Sequence, residues 1–127
     1  WDAAYQGLCG PDYTTGDLPA HGSRLLRLTP VSEDRPVVVG STLHISMGAA
    51  EIVDVLTGKD TLTIRLHPAA GAREGTVFVY SPKPLSYEGA EGLTAGAVAN
   101  AGGVYGIPVS SRDRRACCQE IRLRINP

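Results

Sequence analysis

Hydrolysis of a glycosidic bond needs two carboxyl groups flanking that bond. The chain carries thirteen Asp and Glu, so the supply is adequate and the question is placement. Asp34, Asp54, Asp60, Glu88 and Glu91 fall in turns or on the polar faces of alternating segments. Nothing in the spacing brings two of them to one pocket, and solvated surface acids are the better account. The three histidines, His21, His44 and His67, are evenly spaced, but the residues around them do not repeat. His44 and His67 fall on the expected polar faces of two strands and would meet if those strands paired. A zinc site wants three or four ligands held by hydrogen-bonded supports, and two histidines do not make one. His21 sits in a tight turn, where its expected role is structural, with the side chain bonded to backbone. No Gly-x-Ser-x-Gly elbow or phosphate-cradling loop follows a strand. The sequence thus assigns no catalytic residue, no metal site and no cofactor.

Aromatic rings are the remaining candidates, because a pyranose face stacks on a π-face. The set is small: Trp1, Phe78, Tyr5, Tyr13, Tyr80, Tyr87 and Tyr105. Phe78 and Tyr80 share one face of an apolar segment and read as core. Tyr87 and Tyr105 lie in Gly-flanked stretches expected to be loops, where a ring can stand clear of the core. They are the candidate carbohydrate contacts. Tyr105 is followed by Ile107, Pro108 and Val109, an apolar run that competes to draw its ring inward.

The elements that must position these residues are β-strands. Thr42–Met47, Thr61–Leu66 and Glu120–Ile125 alternate strictly between apolar and polar residues, the pattern of half-buried strands. Val37–Val39 and Thr76–Tyr80 are apolar on both faces and read as central or covered strands. Thr57-Gly-Lys-Asp60 has hairpin length between 51–56 and 61–66. Residues 68–75 form a longer connection rich in Gly and Pro, and Pro82 and Pro84 stop the strand before them. The Gly- and Ala-rich stretch 86–103 is expected to be a long ordered loop or a weak strand near Ala97–Ala99. No segment has the periodicity and caps of a helix. The expected fold is all-β, an antiparallel β-sandwich of six to eight short strands in one domain, residues 1–127. Its expected core is Leu43, Ile45, Leu62, Ile64, Leu66, Val77, Val79, Ile121 and Leu123.

Composition narrows the partners. The chain has 127 residues, 43% hydrophobic and 20% charged, with a net charge of −1. That balance suits a globular domain and gives no electrostatic footprint for nucleic acid or an anionic membrane surface. No apolar run approaches the ~20 residues of a membrane-spanning helix. Ten Arg stand against two Lys. With abundant Ala and Gly, this bias is read as genomic composition and not as a recognition surface. Cys9, Cys117 and Cys118 are too few and wrongly spaced for a disulfide framework or a zinc ribbon, and one bridge from Cys9 to Cys117 or Cys118 stays open. Because it begins on Trp1, the chain is expected to be an excised or processed piece.

The segment Asp17-Leu-Pro-Ala-His-Gly-Ser-Arg-Leu-Leu-Arg-Leu-Thr-Pro30 carries a family likeness. It resembles the closing strand of the β-domain behind the catalytic barrel of α-galactosidase-like (melibiase) glycoside hydrolases, families 27 and 36. Gly40–Gly48 with the following Ala-Glu-Ile-Val, and Arg73–Tyr80, resemble a second β-region behind some of these barrels. The likeness covers roughly residues 17–82. It implies a non-catalytic accessory module that braces the barrel of a parent enzyme, in a secreted or cell-surface setting. The family's two catalytic aspartates lie on barrel strands, and no βα alternation exists here to supply them. A carbohydrate-binding module, or a sandwich with an interaction role unrelated to sugars, are the alternatives.

Overall fold

Leu62, Ile64 and Leu66 all turn inward from one strand, and Ile121, Leu123 and Ile125 do so from the strand beside it. This pair forms the middle of one sheet in the computed structural model, which describes residues 4–67, 74–111 and 119–127. Nine strands follow in chain order: β1 (Val37–Ser41), β2 (Ile52–Thr57), β3 (Thr61–Leu66), β4 (Glu74–Tyr80), β5 (Leu85–Glu91), β6 (Thr94–Ala95), β7 (Ala99–Ala101), β8 (Val104–Ser110) and β9 (Gln119–Ile125). One sheet has the order β1-β4-β8-β6, with β7 also on β8, and the other the order β2-β3-β9-β5. Every pairing is antiparallel. The two sheets pack face to face around one apolar core, and the fold is a β-sandwich. For brevity the first is called sheet A and the second sheet B.

The core is the meeting of the inward sets. Val77 and Val79 of β4 and Tyr105, Ile107 and Val109 of β8 come from sheet A, and the β3 and β9 residues above with Leu85 of β5 come from sheet B. Register fixes this sorting. Val77 lies opposite Ile107 and Val79 opposite Tyr105, so alternate residues share one face across the ladder.

Three expectations need correction. Thr42–Met47 is a looped connection and not a strand, and only Leu43 of its alternating trio enters the core, while Ile45 is exposed. The reason is local. Met47 adopts a left-handed φ of 51° and Gly48 a φ of 104°, and serine side chains take up backbone groups that a ladder would have used. Val37–Val39 belongs to an edge strand, although a covered one: Thr29 Oγ1 donates to the Val39 carbonyl at 2.8 Å. Phe78 and Tyr80 do share a face, but it is the outer face of sheet A, because Val77 and Val79 own the inner one. The strand count also exceeds the expected six to eight, through the two short pieces β6 and β7.

The Gly-rich stretch resolves into β5, β6 and β7. The break between β6 and β7 has a chemical cause. The Pro108 carbonyl accepts from Gly96 N at 2.7 Å, so Pro108 faces this edge, and its missing N–H ends the ladder there. Pairing resumes where Ala99 meets Gly106. Residues 4–36 contribute no strand to either sheet.

Candidate functional site

The sandwich has two outer faces of opposite character. On sheet B, alternation turns Arg65 of β3 and Glu120, Arg122 and Arg124 of β9 outward. They join Asp54 of β2 and Glu88 and Glu91 of β5 in a charge ladder. Arg65 Nε meets Glu120 Oε2 at 3.0 Å, Arg122 Nε meets Glu120 Oε1 at 2.6 Å and Nη2 meets Glu91 at 3.1 Å, and Arg124 meets Glu88 at 2.8 Å. The guanidinium groups of Arg122 and Arg65 hold the Glu120 carboxyl below its ordinary value. Asp54, Glu88 and Glu91 lie on this outer face, and each is paired with an arginine.

On sheet A the outward set is Val37 and Val39 of β1, Thr76, Phe78 and Tyr80 of β4, and Gly106 and Pro108 of β8. No charge interrupts it until Glu74 at the strand's start. Part of this face is covered by the N-terminal segment, residues 4–36. The Tyr5 ring stacks on Phe78 with centroids 5.1 Å apart and planes 22° from parallel. Burial, and then the neighbouring Cys9, push the Tyr5 hydroxyl pKa up. Arg27 Nη1 donates to the Met47 carbonyl at 3.0 Å, and Thr29 holds β1 as described. Between this strap and β1 lies an open cavity of about 860 Å³, lined among others by Tyr5, Tyr13, Arg24, Met47 and Phe78.

The strap is fixed at few points, and most of its apolar side chains stay in water. Tyr5, Leu8, Tyr13, Leu18, Leu25, Leu28 and Val31 are seven of the twelve exposed large hydrophobic residues among those described. Leu25 and Leu28 are 60% and 71% exposed. Residues 23–31 resemble a strand in sequence and run without a ladder partner here. His21 does occupy the tight turn before this stretch. Gly22 N donates to the Pro19 carbonyl at 2.8 Å and His21 itself has a φ of 60°. Its ring makes no hydrogen bond among the described residues, contrary to expectation.

The two tyrosines proposed as sugar contacts are both in strands and not in loops. Tyr105 is 7% exposed and belongs to the core, so its ring offers no face to a pyranose. Tyr87 lies on β5 at the edge of sheet B and is 42% exposed. The two are on different sheets and do not form one platform. His44 and His67 are not brought together by strand pairing, since His44 lies in the 42–51 loop. Its Nδ1 sits 3.0 Å from Ser46 Oγ and accepts from Ser46 N at 3.2 Å. Among the described residues no group of three His, Cys, Asp or Glu is arranged to hold a metal ion. Cys117 and Cys118 lie outside the described residues, so the bridge to Cys9 has no structural account.

One polar cluster was not foreseen. Glu51 is 1% exposed, and its carboxylate accepts from Ser41 Oγ on one oxygen and Ser46 Oγ on the other. Burial raises its pKa, but these bonds and those from the Glu51 and Gly48 backbone N–H groups outweigh it and hold the carboxyl below its ordinary value. Ser41 Oγ in turn accepts from Leu43 N, and Ser46 Oγ from Ala50 N. The network shapes the 42–51 loop, drops Leu43 into the core and presents the Met47 carbonyl to Arg27. A serine every five residues before a glutamate, Ser41-x4-Ser46-x4-Glu51, was the available signal. Both serines donate to Glu51, and the cluster acts as a clamp on the conformation of the 42–51 loop.

No family model, curated protein or solved structure matches this chain. What the fold and its faces define is an antiparallel β-sandwich with one charged and one apolar outer surface.

Proposed function

We propose that this chain is a non-catalytic β-sandwich module of a larger glycoside hydrolase of the α-galactosidase-like kind. It braces the catalytic barrel through its N-terminal strap and the apolar face of sheet A. One observation carries the reading: residues 23–31 of the strap run outside any ladder, and Leu25 and Leu28 of that stretch stay in water. A stretch such as Arg24-Leu-Leu-Arg-Leu28 gains nothing from that state, and an adjoining β-domain supplies both a ladder and an apolar cover. The resemblance of residues 17–30 to the closing strand of such a domain supports the same conclusion. The charge ladder marks sheet B as the side turned to water. The buried Tyr105 removes support from the carbohydrate-binding alternative.

The test uses the full-length parent protein. Replacing Leu25 and Leu28 together by Asp should shorten the half-life of glycosidase activity on heating several-fold, with initial kcat/KM on an aryl α-galactoside little changed. The 127-residue chain alone should hydrolyse no such substrate. A parent with no glycosidase activity, or a double variant with unaltered heat resistance, would sink the proposal.

A further inference from the structure

β2 is an edge strand that exposes apolar side chains on both faces, with Asp54 and Thr57 exposed among them. Val53 is 61% exposed, and Val55 and Leu56 are also open to water. Unpaired strand edges invite pairing, and proteins usually blunt them. The other edges of this sandwich are blunted. β1 is capped by Thr29 and by the 42–51 loop, whose Met47 carbonyl accepts from Ser41 N. β6 and β7 are two and three residues long. β5 carries a register irregularity at Tyr87–Gly89 and acids tied to Arg122 and Arg124. On β2 the irregularity lies near one end, between Ile52 and Asp54. Its one charge, Asp54, is matched by Arg65 at 3.6 Å within the same sheet.

We infer that two copies of this chain associate by antiparallel pairing of β2 with β2 about a two-fold axis at Val55. The register follows from the sequence Ile52-Val-Asp-Val-Leu-Thr57. An axis at Asp54 sets two carboxylates directly opposite, which is repulsive. An axis at Leu56 leaves only residues 55–57 paired within the strand. An axis at Val55 pairs residues 53–57: Val55 with its own mate, Asp54 with Leu56, and Val53 with Thr57. Directly opposite residues share a face, so both copies keep their cores on the same side. The four-stranded sheet B then becomes one continuous sheet of twice the width. The exposed flank of Val55, which shares the face of Ile64, is covered, as is Leu56 on the outer side. The interaction is independent of the strap and of sheet A, so it stands whether or not the bracing role does.

Sedimentation velocity on the 127-residue chain, from about 1 µM to about 1 mM, spans the range where so small a contact dissociates. The expected result is a reversible rise from 13.4 kDa toward twice that mass. Val55→Lys places two ammonium groups opposite one another and should raise the dissociation constant at least about tenfold. A second variant tests the axis itself without depending on that change. With Cys9, Cys117 and Cys118 replaced by Ser, Val55→Cys should cross-link two chains under mild oxidation, because directly opposite residues approach closely enough for a disulfide. Thr63→Cys, one strand inward on β3, should not. A chain that stays monomeric throughout, a dimer indifferent to Val55→Lys, or equal cross-linking at both positions overturns the inference.

Discussion

Replacing Glu51 by Gln keeps the side chain's length and removes its charge. In the native loop the carboxylate accepts from two serine hydroxyls and from the backbone N–H groups of Glu51 and Gly48. Bonds to a charged acceptor contribute about 1.5–3 kcal/mol each and neutral ones about 0.5–1.5. An amide also brings a donor where one serine now donates, so that serine must turn and disturb its bond from Leu43 N or Ala50 N. Against this, burying an amide costs less than burying a carboxylate. The net expectation is a loss of about 1–2 kcal/mol at pH 7. The pH dependence separates this account from a simple packing defect. The folded-state pKa of Glu51 is lowered, so its stabilisation is complete above the ordinary value of 4.5 and is lost as pH falls through the folded value. Glutamine does not titrate. Urea unfolding of the two proteins should therefore differ clearly at pH 7, and the gap should narrow toward pH 3. An equal gap at both pH values, or no gap at pH 7, refutes the clamp as the source of the loop's stability.

Three further substitutions probe the loop and the burial of the two tyrosines. Gly48→Ala should destabilise by about 1–3 kcal/mol in thermal melts, because the residue has a φ of 104° and an added Cβ would lie 3.0 Å from Ile52 Cδ1 and 3.3 Å from Gly40 Cα. Tyr105→Ala should cost about 3–5 kcal/mol, as for a large core residue. Tyr87→Ala should cost under about half a kcal/mol, as for an exposed one. Comparable losses at the two tyrosines would mean that their burial is misassigned.

Two of the strands legible in sequence, β3 and β9, show what made them so. β3 and β9 are each paired to two neighbours, and one face of each meets the core. Their apolar residues therefore had to alternate, and Leu62, Ile64, Ile121 and Leu123 could be named in advance. β5 escaped notice because it lies at an edge and is held by backbone pairing and by Glu88 and Glu91 reaching Arg124 and Arg122. Such pairs are between strands far apart in sequence, and no local period records them. Thr42–Met47 failed in the opposite direction. Its alternation is genuine, but Ser41, Ser46 and Glu51 offer the backbone a competing set of bonds, and Gly48 permits the turn that completes them. Tyr105 was misplaced by its glycine neighbours. Gly106 is a strand residue opposite Phe78, and the apolar run after it was the better guide.

The difference between the two outer faces is an argument about what each side meets. Individually, the ion pairs of sheet B contribute little to stability, because exposed pairs are screened and cost side-chain freedom. Their effect is to make one face unfit for burial against an apolar surface, since Arg122 and Arg124 would have to leave water along with their partners. Sheet A has the same strand grammar and uses valine, threonine, phenylalanine, tyrosine and proline at the equivalent positions. Solubility alone does not ask for that, and the core does not either, because Val77, Val79 and Ile107 already fill it. The strap answers only part of the need: Tyr5 covers Phe78 and Thr29 caps β1, while Leu25 and Leu28 face outward. Under the bracing proposal, this apolar surface, overlain in part by a stretch of chain outside any ladder, is the side that meets the parent enzyme. The sheet B face is closed by its own charges, and among the described residues the β2 edge is where the proposed pairing of β2 with β2 would extend that sheet.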